Sequence, residues 1–269
     1  MPDAQTVSRA MTIAGSDSGA GAGIQADLKT FAALGVYGTS AVTAVTAQNT
    51  LGVTDVHELP TSLIQSQIDA IISDIGVDAV KTGMLSSPEI IEAVAAKIRE
   101  YDLTPLVVDP VMVAKGGDRL LQERAADTLR DVLVPLAFVV TPNAPEAEVL
   151  TGRPISTVGD ARAAAKALVE DLGAMSAVVK GGHLDGPATD VLYVDGGFTE
   201  FTQPRIDTKN THGTGCTFAS AVAAGLAKGL TVHEAVAQAK EYVTEAIRTT
   251  FPMGGGHGPL NHFHRFWER

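Results

Sequence analysis

The sequence predicts an α/β fold: a mainly parallel central sheet with helices on both faces and antiparallel strands at one edge. Three observations predict it. Short apolar, β-branched runs recur along the chain, longer amphipathic segments rich in Ala, Leu and Glu lie between them, and the alternation breaks at residues 189–201, where two runs flank Asp195-Gly196-Gly197. Unalternating apolar runs read as strands buried on both faces, and a helix between two of them makes a right-handed crossover that leaves the strands parallel. Two runs joined through Asp-Gly-Gly are instead a hairpin.

Taken in order, "RAMTIAG" is the first strand, and residues 23–34 repeat apolar side chains at i, i+3 and i+4, as a helix packed on one face does. "GVYGTSAVTAVTAQ" is the next strand and 62–74 its helix. "DAVKTG" is followed by a helix over 88–100, "PLVVDPVM" by one over 122–133, and "AFVVTPN" by one over 158–172. "SAVVKGG" precedes the hairpin, and two Ala-rich helices, 214–228 and 232–249, lead to a Gly/His/aromatic tail. Neither a Pro/Ser-rich linker nor an internal repeat divides the chain, so residues 1–269 read as one domain.

With 45% hydrophobic and 19% charged residues, the 269-residue chain has material for one large core. A net charge of −11 with no Lys/Arg block argues against nucleic acid as the partner, although a local loop can still hold a small anion. A single cysteine rules out a disulfide framework within the chain and suits the cytoplasm. Neither a secretory leader nor a membrane span is expected, because "MPDAQTVSRA" has no apolar core and no run reaches the roughly 18 apolar residues a span requires.

Two glycine-rich loops stand out. In "AGSDSGAGAGIQADLKT", residues 21–26 fit G-x-G-x-x-[GA], the dinucleotide fingerprint. A nicotinamide site also needs a carboxylate about 20 positions later, where this chain has Gln48 and Asn49. The alternative is a plain turn packed tightly at a helix start. The second loop, Gly213-Thr214-Gly215-Cys216, opens a good helix, where convergent N–H groups and the helix dipole suit a phosphate or oxyanion. Its alternative is an ordinary helix start capped by Thr214. Asp109, Thr141-Pro142-Asn143 with Glu146, and Lys180-Gly181-Gly182-His183 follow other strands, and in an open parallel sheet such ends converge on one ligand crevice. Asp109, Asn143 and Glu146 are candidate Mg²⁺ oxygens, directly or through water. Lys180 and Lys209 are candidate screens for nucleotide phosphates.

These motifs in order, "TIAGSDSGAGAGIQADLKTFAALGVYG", "VTAQNT", "KTGML", "VVDPVMVAKGG", "TPNAPEAE", "VKGGH" and "TKNTHGTGCTFASA", closely resemble the hydroxymethylpyrimidine/phosphomethylpyrimidine kinases of thiamine biosynthesis, within the ribokinase-like superfamily. The match runs from about Met11 to the closing "GHGPLNHFHRFW". The resemblance implies a ribokinase-like three-layer αβα sandwich. It implies phosphorylation by ATP and Mg²⁺ of 4-amino-5-hydroxymethyl-2-methylpyrimidine, first to the monophosphate and then to the diphosphate. A homodimer is common in the family. The first loop then belongs to the substrate side, which makes its dinucleotide pattern a decoy. By position, Gly15, Asp27, Gln48, Met84 and Val111 line the pyrimidine pocket; Asp109, Asn143 and Glu146 take Mg²⁺; Lys180, Lys209, Thr211, His212 and Thr214 meet the nucleotide; and Gly213, Gly215, Cys216 and Lys180 carry the transfer.

Related sugar kinases place Asp at the position of Cys216. The resemblance suggests a compromise: a thiol acidic enough at a helix start to assist the alcohol step and neutral enough to admit the monophosphate. A pyridoxal/pyridoxine kinase is the nearest rival, and a nicotinamide oxidoreductase or a ligand-binding module are rivals of other classes. His257, His262 and His264 lack the partners of a metal site and read as tail packing or contacts near the nucleotide. Glycine-rich residues 113–118 are the candidate mobile segment.

Overall fold

The computed structural model describes residues 7–112 and 123–267, so the segment 113–118 lies outside the described residues. Within the described residues one sheet is built from β1 (Arg9–Asp17), β2 (Tyr37–Gln48), β3 (Val53–Glu58), β4 (Ala79–Thr82), β5 (Leu106–Val108), β6 (Val139–Val140), β7 (Ala177–Val179), β8 (Ala188–Val194) and β9 (Gly197–Gln203). They lie in the order β3-β2-β1-β4-β5-β6-β7-β8-β9. The six strands from β2 to β7 across this order pair in parallel. The hairpin β8–β9 adds antiparallel strands at one edge as predicted, and β3 runs antiparallel to β2 at the other edge, which the sequence did not suggest. The reason is that "VTDVHE" is almost wholly exposed: it contributes ladder hydrogen bonds but little apolar burial, and burial is what a sequence pattern records.

The helices are α1 (Gly23–Ala33), α2 (Thr61–Asp74), α3 (Pro88–Glu100), α4 (Glu123–Thr128), α5 (Ala144–Thr151), α6 (Val158–Glu170), α7 (Thr214–Ala227) and α8 (Val232–Arg248). The helix expected over 122–133 is shorter, giving way at Leu129–Leu133 to a wider turn. Helices α1, α7 and α8 cover one face of the sheet, with Ala10, Ala79, Val107, Val139, Val178 and Leu192 beneath them. The next residue along each strand, Met11, Val80, Val108, Val140 and Val179 among them, faces the core under α2, α3 and α6. Both faces are therefore buried, which is why these strands read as unbroken apolar runs. Helix α5 escaped the sequence reading, although its start is a reciprocal cap: Asn143 Oδ1 accepts from Glu146 N–H at 2.9 Å, and Asn143 N–H donates to Glu146 Oε2 at 2.8 Å. The Asn-x-x-Glu spacing that signals such a cap was read as a set of metal oxygens instead.

The chain leaves β1 toward β2 on one side and continues from β4 on the other. This reversal opens a crevice beyond the carboxyl ends of β1 and β4. On the far side of α7, the tail's His262 is 4% exposed, its Nε2 lies 3.0 Å from Thr217 Oγ1, and its carbonyl accepts from Tyr242 Oη. Burial, helped by the nearby Lys29 and His264, pushes the imidazole down to about 3. The unfolded chain therefore binds the proton first on acidification, and the stability that neutral His262 contributes is present above about pH 6.5 and lost as pH falls toward 3. At about 1.4 kcal/mol per pH unit, we expect about 2 kcal/mol less stability at pH 5 than at pH 6.5 from this group. His262→Gln should flatten that slope in urea melts; an unchanged slope would assign acid sensitivity to other groups.

Candidate active site

The loop after β1 is organised by a residue the sequence reading did not single out. Asp17, 2% exposed, accepts from the N–H groups of Gly19 at 2.8 Å, Gly21 at 3.1 Å and Ala22 at 2.8 Å, and pairs with His212 Nε2 at 2.8 Å. Burial opposes its charge, but His212 and these donors outweigh it and hold the carboxyl below its usual range. The amides that a dinucleotide pyrophosphate would require are thus occupied by the loop's own carboxylate, which is why the G-x-G-x-x-A match is a decoy. Helix α1 ties the loop down: Gln25 bonds Asp17 N–H and Ser16 Oγ, and Lys29 donates to Ala20 O. The local signal was the Asp-x-Gly of an Asx turn.

The second glycine loop locks against the first. Gly213 stands at φ +80°, and a Cβ there would run into the carbonyl of Gly21, while a Cβ on Gly21 would strike the His212 ring. Gly213 itself occupies the N-cap position of α7, so Thr214 is not the cap; its hydroxyl donates to Thr211 O at 2.7 Å and its N–H to the same oxygen at 3.3 Å. No acceptor among the described residues takes the N–H of Gly215 or Cys216, the first-turn donors a helix leaves open.

Opposite these donors sit the charges from the ends of β4 to β7. Lys180 Nζ donates to Asp109 Oδ1 at 3.1 Å. Burial disfavours the Lys180 charge, yet Asp109 and Glu146 hold its pKa above the ordinary value. Glu146 is pushed up to about 7, chiefly by burial, with Lys180 opposing and Asp109 adding to the shift. Lys81, also missed in the sequence, has a wholly buried side chain that lines the crevice and pairs with Asp27 at 2.9 Å. Asp27 corrects an expectation: it is fully buried behind Lys81, accepting from Thr12 and Ser220 as well, and does not line the crevice. Its place on the inward face of α1 aims it at the sheet. A lysine within a buried run, "DAVKTG", and an aspartate at a buried helix position were the available signals.

Cys216 requires a second correction. Its surface is partly exposed, on the crevice, but burial pushes the thiol up to about 12; Asp109 and Asp27 add to the rise, while Lys81 and the N–H of Gly23 oppose it. The thiol is not acidified by its helix start.

These groups line one crevice of about 470 Å³. Gly15, Gln48, Met84 and Val111 line it together with Asp109, Asn143, Glu146 and Lys180, and with Thr211, His212, Thr214 and the Gly213, Gly215 and Cys216 turn. The Gln48 amide sits between Thr46 Oγ1, 3.1 Å away, and His212 Nε2, 3.4 Å away. Lys209 falls outside: it is exposed, and among the described residues only its carbonyl is engaged, by Thr211 N–H and by His257. A second hollow of about 190 Å³, unforeseen in the sequence, shares Lys180, Thr211 and Thr214 with the first and is walled by Phe218, Val243 and Ile247.

A divalent cation can be tested against these groups. Asp109 Oδ2 is buried without a hydrogen-bond partner among the described residues, a costly state for a carboxylate oxygen that a hard cation would relieve. Asn143 Oδ1 and Glu146 Oε2 are committed to the cap of α5, so they suit contacts through water better than direct ligation.

The family model described as phosphomethylpyrimidine kinase matches residues 17–261. The chain is 52% identical over 260 residues to the hydroxymethylpyrimidine/phosphomethylpyrimidine kinase of Bacillus subtilis, covering 96% of each. It is 56% identical over 253 residues to a thiamine biosynthesis bifunctional protein of Geobacter sulfurreducens, covering 94% of this chain but 51% of that protein, about half its length. An ADP complex of Bacillus subtilis pyridoxal kinase has a TM-score of 0.89 at 46% identity, covering 96% of this chain and 98% of that one.

Proposed function

The chain belongs to the phosphomethylpyrimidine kinase family, and on that premise we propose how its crevice carries out two successive phosphoryl transfers. The activity is that of a hydroxymethylpyrimidine/phosphomethylpyrimidine kinase of thiamine biosynthesis, a phosphotransferase. One observation carries our reading of the site: Gly215 lies beside the Lys180–Asp109 pair, and its open N–H and that of Cys216 belong to the same crevice as Gln48 and Met84.

In this reading the aminopyrimidine lies against Met84, its edge on Gln48 and its hydroxymethyl toward Cys216. Gly15 and Val111 close the ring's sides. The γ-phosphoryl group of ATP rests on the Gly215 and Cys216 amides, with Lys180 beside it; a Cβ at Gly215 would stand 3.2 Å from Lys180 Nζ and crowd that place. The apolar hollow by Phe218, Val243 and Ile247 takes the nucleotide base, and Thr211 and Thr214 lie where the two hollows meet. Mg²⁺, held directly by Asp109 and through water by Asn143 and Glu146, would neutralise phosphate charge. Transfer of this kind depends on positioning and electrostatics more than on proton abstraction, so a protonated Cys216 does not obstruct the alcohol step. In the second step the acceptor is already an anion and needs no base.

We also propose that the protein works as one domain in the cytoplasm, and as a homodimer. The exposed apolar residues Val45 on β2 and Leu63 on α2, which packs on β2, mark the surface we assign to the dimer.

A single coupled assay with the aminopyrimidine alcohol, its monophosphate and pyridoxine tests the reading. Diphosphate formation is the expected result. Turnover of pyridoxine without any of the monophosphate would instead favour the pyridoxal kinase reading, which the structural likeness to the Bacillus subtilis pyridoxal kinase keeps in view.

A further inference from the structure

We propose that Asp17, His212 and Thr46 fix the orientation of the Gln48 amide, and that the fixed amide selects an aminopyrimidine edge over its oxo counterpart of the same shape. The proposal rests on the assignment of Gln48 to the heterocycle's edge, and it makes His212 a positioning residue on the substrate side.

The orientation follows from the proton at the His212 end of the amide, and the Thr46 end accommodates it. At one end, Asp17 accepts three backbone N–H groups besides its contact with His212 Nε2 at 2.8 Å. A carboxylate with that many donors is ionised, so the proton between it and the imidazole belongs to His212 Nε2. That nitrogen therefore carries its one proton, shared mainly with Asp17, and an NH₂ 3.4 Å from it would set donor against donor, so the carbonyl takes that side. At the other end, Thr46 Oγ1 lies 2.9 Å from Ser16 O and 3.1 Å from the Gln48 amide, and its one proton can go to either. With the amide carbonyl turned to His212, the NH₂ meets this hydroxyl, which accepts from it and gives its own proton to Ser16 O. Position alone does not distinguish the oxygen of an amide from its nitrogen; the hydrogen-bond network does. The His212 end sets the order: the carbonyl faces His212 and the NH₂ faces Thr46, whose oxygen receives it.

This arrangement leaves the amide one N–H and one carbonyl lone pair for a ligand, in a fixed order. A 4-aminopyrimidine presents a ring-nitrogen acceptor beside an amino donor. The 4-oxo analogue presents a carbonyl acceptor beside a ring N–H donor, the same pair reversed. Against a fixed amide the reversed edge meets donor with donor and acceptor with acceptor, a mismatch that buried sites reject strongly. The relay also has a mechanical base. Asp17 is held by the loop that α1 ties down, and the His212 ring lies against Gly21, where no Cβ fits.

The test compares 4-amino- and 4-oxo-5-hydroxymethyl-2-methylpyrimidine, by calorimetric binding without nucleotide and by kcat/KM with ATP and Mg²⁺. The wild-type protein should prefer the amino compound by about 100-fold or more. In Thr46→Val, and more fully in Thr46→Val/His212→Phe, the ratio should fall to within about 10-fold, largely through a gain on the oxo compound, because a released amide can turn over. Thr46→Ser should restore the wild-type ratio. Thr46→Val replaces the hydroxyl with a group of equal size on β2, so it tests the idea even if the double variant folds poorly. A fold weakened without loss of the relay would lower both compounds together and keep the ratio, and an unchanged ratio in a folded variant overturns the proposal. Equal binding of the two compounds by the wild-type protein overturns it too, while phosphorylation of the amino compound would leave the kinase reading standing. Failure of the wild-type protein to phosphorylate either compound would sink the kinase reading, and the binding ratio would still decide the relay.

Discussion

Replacing Gly213 with alanine is expected to lower kcat by about 10²- to 10³-fold for both acceptors, the range seen when one preorganised donor to a developing oxyanion is lost. Two constraints meet at this residue. Its φ of +80° costs an L-residue with a side chain roughly 1–2 kcal/mol, which the protein can survive. The second constraint admits no local remedy, because the added Cβ would occupy the position of the Gly21 carbonyl, and that carbonyl is fixed by the Asp17 nest and α1. The start of α7 must then shift, and with it the Gly215 and Cys216 amides. Gly215→Ala is a useful contrast: its Cβ would meet the tip of the Lys180 side chain at 3.2 Å, which can swing aside, so a loss of about 10-fold is expected. Steady-state kinetics on both variants, with circular dichroism to confirm folding, checks the pair. Gly213→Ala with kcat within about threefold of wild type would show that these amides do not hold the phosphoryl group.

The same residues explain how far the sequence could be read. Asp109, Asn143, Lys180 and Gln48 were legible because each follows an apolar run, and the topology of a parallel sheet carries such ends to one crevice; the glycine turn was legible because it opens an Ala-rich helix. Asp17 and Lys81 were not, because what makes them matter is who they face: the nest around Asp17 forms only when the turn closes, and Lys81 meets Asp27 across 54 positions of chain. Composition offered little help with Cys216. A helix start lowers a thiol's pKa, and burial beside two carboxylates raises it; only the folded structure shows that the second effect wins. The hollow beside Phe218 belongs to the same class, since its walls come from Lys180, Phe218 and Val243, far apart in sequence, whereas β3 pairs with its neighbour β2 and escaped notice because it is exposed.

Cys216→Asp is expected to separate the two half-reactions. With the thiol pushed up to about 12, position 216 is neutral at physiological pH, and Lys180 and Lys81 are already matched by Asp109 and Asp27. A carboxylate there adds a charge where the acceptor must approach. For the alcohol that charge is tolerable, and it can even serve as a base, so phosphorylation of the alcohol should fall by no more than about 10-fold. For the monophosphate, two like charges about 4 Å apart at an effective dielectric near 20 repel by about 4 kcal/mol, which is up to about 10³-fold in kcat/KM. Cys216→Ala should cost less than about 10-fold in both steps, since it removes a protonated thiol and no charge. The measurement is kcat/KM for the alcohol and for the monophosphate, each with all three proteins. If Cys216→Asp makes diphosphate at the wild-type rate, charge at this position does not govern the second step; if Cys216→Ala loses the alcohol step alone by a hundredfold or more, the thiol is a base after all and its neutrality is not what the site exploits.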